Sequence, residues 1–223
     1  MKQIILGKTN QSVSSVSLGT WSFGGANVSG AVPVGWANQT DEDSFKSLLA
    51  AHEAGINHWD TADVYGGGRS EKIIGSMWKN IPRNEIFLAT KVGWDKGEHK
   101  HWYNQEHLQQ QMDSSLKRLK TDCVDLLYLH HCNFGKNDEY FDDAVETVRR
   151  FQSDGKTKFI GLSDWDLHKI MKFIDRHNPD VVQPYRNVWD DSYESSGLKN
   201  YTEKNNIGVC FFSPIILRIR IYK

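Results

Sequence analysis

The stretch HWDTADVYGGGRSE, residues 58–71, places a carboxylate, Asp60, at the end of a short apolar run and a phenol, Tyr65, five residues later. Both groups can exchange protons, so the stretch raises the question of acid–base chemistry at a strand end. It does not stand alone. SVSLG leads into Gly19-Thr20-Trp21, IFLATK ends in Lys91 and CVDLLYLH ends in His130. TKFIGLS leads into Ser163-Asp164, DVVQPY carries Gln183 and IGVCFFS ends in Ser213. Singly, each residue has an ordinary explanation. Asp60 could cap a turn, Tyr65 could pack on a core rim, and Lys91 could be a solvated charge.

Seven such runs, counting SVSLG as the first, alternate with segments of helical periodicity. Residues 41–54 put Phe45, Leu48, Leu49 and His52 on one face. Residues 104–119 do the same with Leu108, Met112, Leu116 and Leu119, and residues 142–152 with Ala144, Val145, Val148 and Phe151. Asp41 and Asp166 are expected N-terminal caps. Gly55 and Gly155 are expected to follow helix ends in the left-handed conformation. KQIILG and SVSSVSLG read as short strands joined by a turn at KTNQ. Buried-type strands alternating with helices predict a parallel α/β sheet. In an open doubly wound sheet, only strands beside the switch point build the site. In a (β/α)8 barrel every strand C-terminus converges on one mouth. Capable residues at nearly every strand end favour the barrel, and GTWSFGG does not match a GxGxxG fingerprint. The expected fold is a (β/α)8 TIM-barrel type with about seven of its eight strands and a short N-terminal β-hairpin.

The length suffices for one large domain or two small ones. The chain has 223 residues and a formal net charge of −1, so no global field recruits nucleic acid or an anionic membrane. Three scattered cysteines (Cys123, Cys132, Cys210) and no signal-peptide pattern point to a cytoplasmic protein with reduced thiols. No uncharged run approaches the roughly 18 to 20 residues that span a bilayer. A metal is not expected. His130 and His131 are strand neighbours and point to opposite faces. The histidines of EHKHWYNQEH, residues 98–107, read as part of a solvated loop. YGGGRS lacks the Lys-Ser/Thr ending of a P-loop.

LGTWSFGG, WDTADVYGGGRSEKIIG, IFLATKVG, SLKRLKTDCVDLLYLHH, GKTKFIGLSDWD, VVQPYRNVWD and GVCFFSPI follow one another in an order and spacing that resemble the aldo/keto reductase family, over residues 1 to about 214. The resemblance implies reduction of aldehydes and ketones by hydride from NAD(P)H, with NADP(H) favoured over NAD(H) and a small carbonyl compound as substrate. It implies a catalytic tetrad of Asp60, Tyr65, Lys91 and His130. Tyr65 is the proton donor, and Lys91 lowers its pKa from the free value of about 10. Asp60 holds Lys91, and His130 orients the carbonyl and stabilises the oxyanion. For the cofactor the resemblance implies Gly19, Thr20, Trp21, Asp60, Ser163, Asp164, Gln183, Phe212, Ser213, Pro214 and Ile215. For the substrate it implies Trp21, Phe23, Trp94 and His131, the last either lining the pocket or simply packing.

Two departures from the family pattern stand out. Asp164 replaces the usual asparagine, and its ionised carboxylate cannot donate to a carboxamide carbonyl. It could instead cap the helix that follows. After FFSPI the chain ends ILRIRIYK, which reads like an edge strand and is not the family's continuation. The expectation is a single family domain over residues 1–223, cut short after about residue 214. A non-catalytic nucleotide-sensing subunit and an inactive truncated product remain alternatives to a working reductase.

Overall fold

The computed structural model describes residues 1–29 and 32–214. A hairpin opens the chain, with β1 (Gln3–Ile5) antiparallel to β2 (Ser12–Ser14). The short β3 (Leu18–Gly19) runs into a 3-10 turn at Trp21–Gly24, and β4 (Ala26–Ser29) then pairs antiparallel with β5 (Val32–Gly35). Strand–helix alternation follows: α1 (Asp41–Glu53), β6 (His58–Asp60), α2 (Arg69–Ser76), β7 (Phe87–Val92), α3 (Gln105–Leu119), β8 (Val124–Leu129) and α4 (Phe141–Ser153). It continues through β9 (Thr157–Asp164), α5 (Leu167–His177), β10 (Val181–Pro184), α6 (Ser192–Ser195), α7 (Leu198–Lys204) and β11 (Gly208–Val209).

The main sheet has the order β3-β6-β7-β8-β9-β10-β11, and every pairing in it is parallel. Among the described residues it forms a curled half-barrel of seven strands, open between β3 and β11. The tail ILRIRIYK lies outside the described residues.

Side chains alternate across each strand. That alternation separates two cores. One set (Phe87, Ala89, Leu126, Tyr128, Val181 and Cys210) fills the barrel interior, and Leu6 and Val13 of the N-terminal hairpin pack against it. Leu88, Leu127, Leu129, Ile160, Leu162 and Val182 belong to the other core, together with the buried faces of the helices. Gly161 makes the interior possible. A Cβ there would stand 2.5 Å from the Tyr128 ring, so only glycine leaves room for it.

The helices end largely as their sequences dictate. Asp166 Oδ1 accepts from His168 N and caps α5, and Gly55 and Gly155 take positive φ after α1 and α4. The expected cap at Asp41 is corrected. Thr40 is the cap, its hydroxyl accepting from Asp43 N at 3.1 Å, and Asp41 is the first helical residue. Asp41 instead pairs with Arg69 at 2.5 Å, at the entry of α2. The β4–β5 hairpin has no counterpart in the strand–helix rhythm expected from the sequence.

Candidate active site

The inward-facing residues at the C-terminal ends of β6 to β10 belong to one layer. His58 and Asp60 alternate with Trp59 on β6, and Lys91 continues Phe87 and Ala89 on β7. His130 follows Leu126 and Tyr128 just beyond β8. Ser163 follows Phe159 and Gly161 on β9, and Gln183 follows Val181 on β10. A period of two thus lifts Asp60, Lys91, His130, Ser163 and Gln183 into a single cavity of about 870 Å³, which Tyr65, Trp21, Trp94, Phe212 and Ser213 also line.

Lys91 is the hub of this layer. Only 2% exposed, its ammonium donates to Asp60 Oδ1 at 2.5 Å, to Thr61 O at 2.8 Å and to Tyr65 Oη at 3.3 Å. That accounts for all three of its N–H bonds. Burial works against the ammonium, but Asp60 and Tyr65 outweigh it and lift the lysine pKa above its ordinary value. Asp60 is held from its other oxygen by Gln183 Nε2 at 2.8 Å, and Ser163 Oγ donates to Gln183 Oε1 at 3.3 Å. One chain of hydrogen bonds therefore runs from Ser163 through Gln183, Asp60 and Lys91 to the phenol.

The phenol's pKa departs from the sequence-based expectation. Lys91 does pull it down, but burial has the larger effect, and the net result is a rise above the ordinary tyrosine value. Tyr65 is therefore a protonated phenol at neutral pH with a cation beside it. His130 stands edge to face with Tyr65 at 6.0 Å between ring centroids. Burial first, then Lys91, push its pKa well below the ordinary histidine value, so the imidazole is neutral.

The loop that delivers Tyr65 depends on close backbone contact. Gly66 has φ +63°, and a Cβ on it would meet Gly24 O at 2.2 Å. This crossing ties the Tyr65 loop to the Trp21–Gly24 turn. Thr20 tightens the same junction, its Oγ1 donating to Asp60 O and accepting from Ser70 Oγ.

Several expected site residues stand elsewhere. Asp164 neighbours Ser163 on β9, so its side chain points away from the cavity. Its oxygens accept from Cys132 N at 2.6 Å and Asp166 N at 2.7 Å, and this occupies the carboxylate with backbone amides. Thr20 is fully buried in the junction just described. Phe23 is 4% exposed and belongs to the helix-side core. His131 packs against the rings of Trp94, Trp102 and Tyr103, behind the cavity wall. Gly19 pairs with Asp60 in register at the end of β3 and is exposed, but it is not part of the cavity wall. Pro214 is exposed at the end of the described residues and is likewise not in the wall. Ile215 lies outside the described residues.

Other lining residues were not singled out from the sequence. Trp165 packs against Trp94 at 5.4 Å and against Phe212 at 5.2 Å. Its neighbour Asp164 carried the motif, and the pleat offered the only hint that the two had different surroundings. Asp63 also lines the cavity while only 7% exposed. Burial, with Glu71 adding to it, raises its carboxyl pKa to about 8. Its position three residues after Asp60 was the available signal. His107, read as loop, stands on the first turn of α3 and donates from Nε2 to Asp95 O at 2.7 Å.

The family model described as the aldo/keto reductase family matches residues 15–216. L-galactose dehydrogenase of Arabidopsis thaliana is 30% identical over 217 residues, covering 95% of this chain and 65% of that protein. The NADH-specific methylglyoxal reductase of Escherichia coli K12 is 29% identical, covering 96% and 68%. The structure of an aldo-keto reductase from Bacillus halodurans in its holo form superposes with a TM-score of 0.78 at 25% identity, covering 95% of this chain and 65% of that one. The chain thus spans about two thirds of the length of these relatives. With the family model matched over nearly all of the described barrel, the chain belongs to the aldo/keto reductase family.

Proposed function

We propose that the protein is an NAD(P)H-dependent carbonyl reductase that converts an aldehyde or ketone to the alcohol, with Tyr65 as the proton donor. The observation that carries this reading is the Lys91 ammonium, fixed by Asp60 and Thr61 O with its remaining N–H on the Tyr65 phenol. Ser163 and Gln183 offer a hydroxyl and an amide for a nicotinamide carboxamide, and Phe212 offers an aromatic face, all on the same cavity wall. A nicotinamide held by these residues would supply the hydride for the carbonyl carbon. Tyr65 gives its proton to the carbonyl oxygen, and its raised pKa keeps that proton in place until it is needed. Lys91 stabilises the phenolate left behind, and water returns the proton. Neutral His130 orients the carbonyl and donates an N–H to the oxygen as charge develops.

We take NADP(H) in preference to NAD(H), and a small carbonyl compound as the substrate. The relatives named for L-galactose and methylglyoxal act on molecules of that kind. We place the protein in the cytoplasm, a reading that its three unpaired cysteines support. Among the described residues no helix is long and apolar enough to cross a membrane. The direct test is to titrate NADPH and NADH against tryptophan fluorescence, since Trp21, Trp94 and Trp165 line the cavity, and then to follow cofactor oxidation with a simple aldehyde. Saturable binding with aldehyde-dependent oxidation supports the reductase. Saturable binding without turnover would favour a nucleotide-sensing role, and no binding would point to an inactive product.

A further inference from the structure

The glycine turn that follows Tyr65 rests on a side chain from another helix. Arg118, in the last turn of α3, is partly buried and lines the cavity together with Tyr65 and Gly67. Its stem lies against Gly68. A Cβ on Gly68 would stand 2.4 Å from Arg118 Cδ and 2.5 Å from Nε, so the two meet only because Gly68 carries no side chain. Gly68 has φ +87° and opens α2 without a side-chain cap. Backbone bonds carry the contact back to the phenol's own residue, since Ser70 N donates to Tyr65 O at 3.2 Å and Lys72 N to Gly68 O at 3.1 Å. Arg118 also reaches the strand of Lys91. Its Nε donates to Glu71 Oε2 at 2.6 Å, and Thr90 Oγ1 donates to Glu71 Oε1 at 2.7 Å. Thr90 directly precedes Lys91 on β7. An Nη donates to Ser115 Oγ at 3.2 Å and fixes the guanidinium on its own helix. One guanidinium therefore touches the turn that delivers the phenol and, through one carboxylate, the strand that delivers the ammonium.

We propose that Arg118 is a positioning residue that sets the separation between the Tyr65 phenol and the Lys91 ammonium. The inference rests on the reductase reading for its kinetic consequence alone. Of the three contacts of the ammonium, the phenol's is the longest, 3.3 Å against 2.5 Å to Asp60 and 2.8 Å to Thr61 O. Asp60 and Thr61 are held in sheet register with β7, whereas Tyr65 hangs from the loop. A displaced loop therefore loses the phenol contact first. The Gly24 crossing and the Ser70 hydroxyl tie this loop to the Trp21–Gly24 turn, Thr20 and Thr61. Arg118 and Glu71 add the tie to α3 and β7. The task suits a guanidinium, whose rigid planar fork holds Glu71 and Ser115 at once, and it does not suit an ammonium on a flexible stem.

Three variants of the full chain provide the test. Arg118→Lys keeps a positive charge beside Glu71 and loses the planar fork. Arg118→Met combined with Glu71→Gln removes both charges, so neither is left buried alone, and it carries the test if the lysine variant folds poorly by circular dichroism. Lys117→Met, at the exposed neighbouring position, is the control. Tyrosine isotopically labelled at Cζ reports by NMR on hydrogen bonding at the phenol oxygen, with neither cofactor nor turnover, and the Tyr65 signal is the one lost in Tyr65→Phe. That signal is expected to move in both Arg118 variants and to stay in place in the control. In turnover assays kcat is expected to fall at least about tenfold, as displacement of a reacting group implies, while KM for the aldehyde and Kd for NADPH stay within about twofold. The basic limb of the kcat profile is expected to move to higher pH, because Lys91 holds the phenol pKa down against burial, Asp60 and Asp63. A mere loss of folded protein lowers kcat without moving that limb. An unmoved Tyr65 signal overturns the inference, and so does a moved signal with kcat or the basic limb unchanged. A parent protein that reduces no aldehyde removes the reductase reading, and the Tyr65 signal then decides the positioning role by itself.

Discussion

At the scale of single residues, the proposed chemistry turns on how one ammonium is divided among three acceptors. Tyr65→Phe keeps the ring and removes only the hydroxyl proposed as the proton donor. It should lower carbonyl reduction by at least about 10²-fold while leaving cofactor binding, read by tryptophan fluorescence, nearly intact. Turnover close to that of the parent protein would remove Tyr65 from the mechanism. Lys91 tests the coupling from the other side. Replacing it alone strands the Asp60 carboxylate in a site only 8% exposed, so the informative variant is the pair Lys91→Met with Asp60→Asn. Burial already raises the phenol pKa, and the cation is what opposes that rise. Without the cation the basic limb of the residual pH–rate profile should move to higher pH. A profile that stays where it was would mean that the 3.3 Å contact does not tune the phenol. That Asp60, Tyr65, Lys91 and His130 would meet in one cavity was legible from the sequence, because they sit in or just after recognisable runs at strand ends. Asp164 was read as a cofactor residue or as a cap of the helix that follows, and its hydrogen bonds to backbone amides fit the second role, for a geometric reason. The motif marked its position, but the pleat that parts His130 from His131 also turns Asp164 away from Ser163. The net direction of the Tyr65 pKa was also beyond sequence reasoning. It depends on how deeply the ring is buried, and spacing does not report that.

At the scale of elements, the site is held by contacts between units far apart in the chain. Glu71 on α2 is fully buried. It accepts from Thr90 Oγ1 of β7 at 2.7 Å and from Arg118 Nε of α3 at 2.6 Å. One carboxylate therefore clamps two helices to the strand that carries Lys91. Glu71→Ala should destabilise the protein by about 3–5 kcal/mol, the usual cost of breaking a buried pair from one side. Urea unfolding of the variant measures it, and a loss under about 1 kcal/mol would show that the clamp is incidental. The Gly24–Gly66 crossing makes a sharper local prediction. Gly66→Ala places a Cβ 2.2 Å from Gly24 O at φ +63°, so the Tyr65 loop must move. The expected stability cost is about 1–3 kcal/mol from backbone strain alone. The functional loss should exceed it, because the phenol shifts away from Lys91. Seven parallel strands and the main helices were legible from alternation and helical periodicity. Thr40 was missed as a cap because three acidic residues follow it directly and drew the assignment one position too far. The β4–β5 hairpin was missed because the segment from Gly24 to Gly35 is rich in glycine and reads as loop, while its pairing depends on a partner strand that local pattern does not identify.

At the scale of the whole molecule, burial of neutral histidines links the fold to pH. Burial is the main cause that brings the pKa of His58 to about 4 and that of His177 to about 3, from an ordinary 6.5. His131, half-buried among aromatic rings, falls to about 4 as well. In each case the unfolded chain takes up a proton at a higher pH than the folded one. Their contribution to stability is therefore complete above about pH 6.5 and is lost as pH falls toward 4. Asp63 acts in the opposite sense. Its pKa is raised from 3.8 to about 8, so the unfolded state gives up that proton first and stability declines as pH rises from about 4 to 8. Below pH 6.5 these histidines, with His101 and His130 shifted in the same direction by burial, oppose the one raised carboxyl, and the net expectation is acid lability. His177 isolates the effect. Both of its ring nitrogens are buried without hydrogen-bond partners, and Arg149 and Lys8 add to the cost of charging it. It also lies at the end of α5, away from the cavity wall. His177→Leu should match the parent protein's melting temperature near pH 7 to within a few degrees. It should retain about 3 kcal/mol more of its stability at pH 4, the value of the proton uptake that it removes. Melting curves of the two proteins across pH 7 to pH 4 provide the measurement. If their midpoints fall in parallel, the histidine does not carry the linkage, and acid loss must come from the ion pairs that tie the helices together.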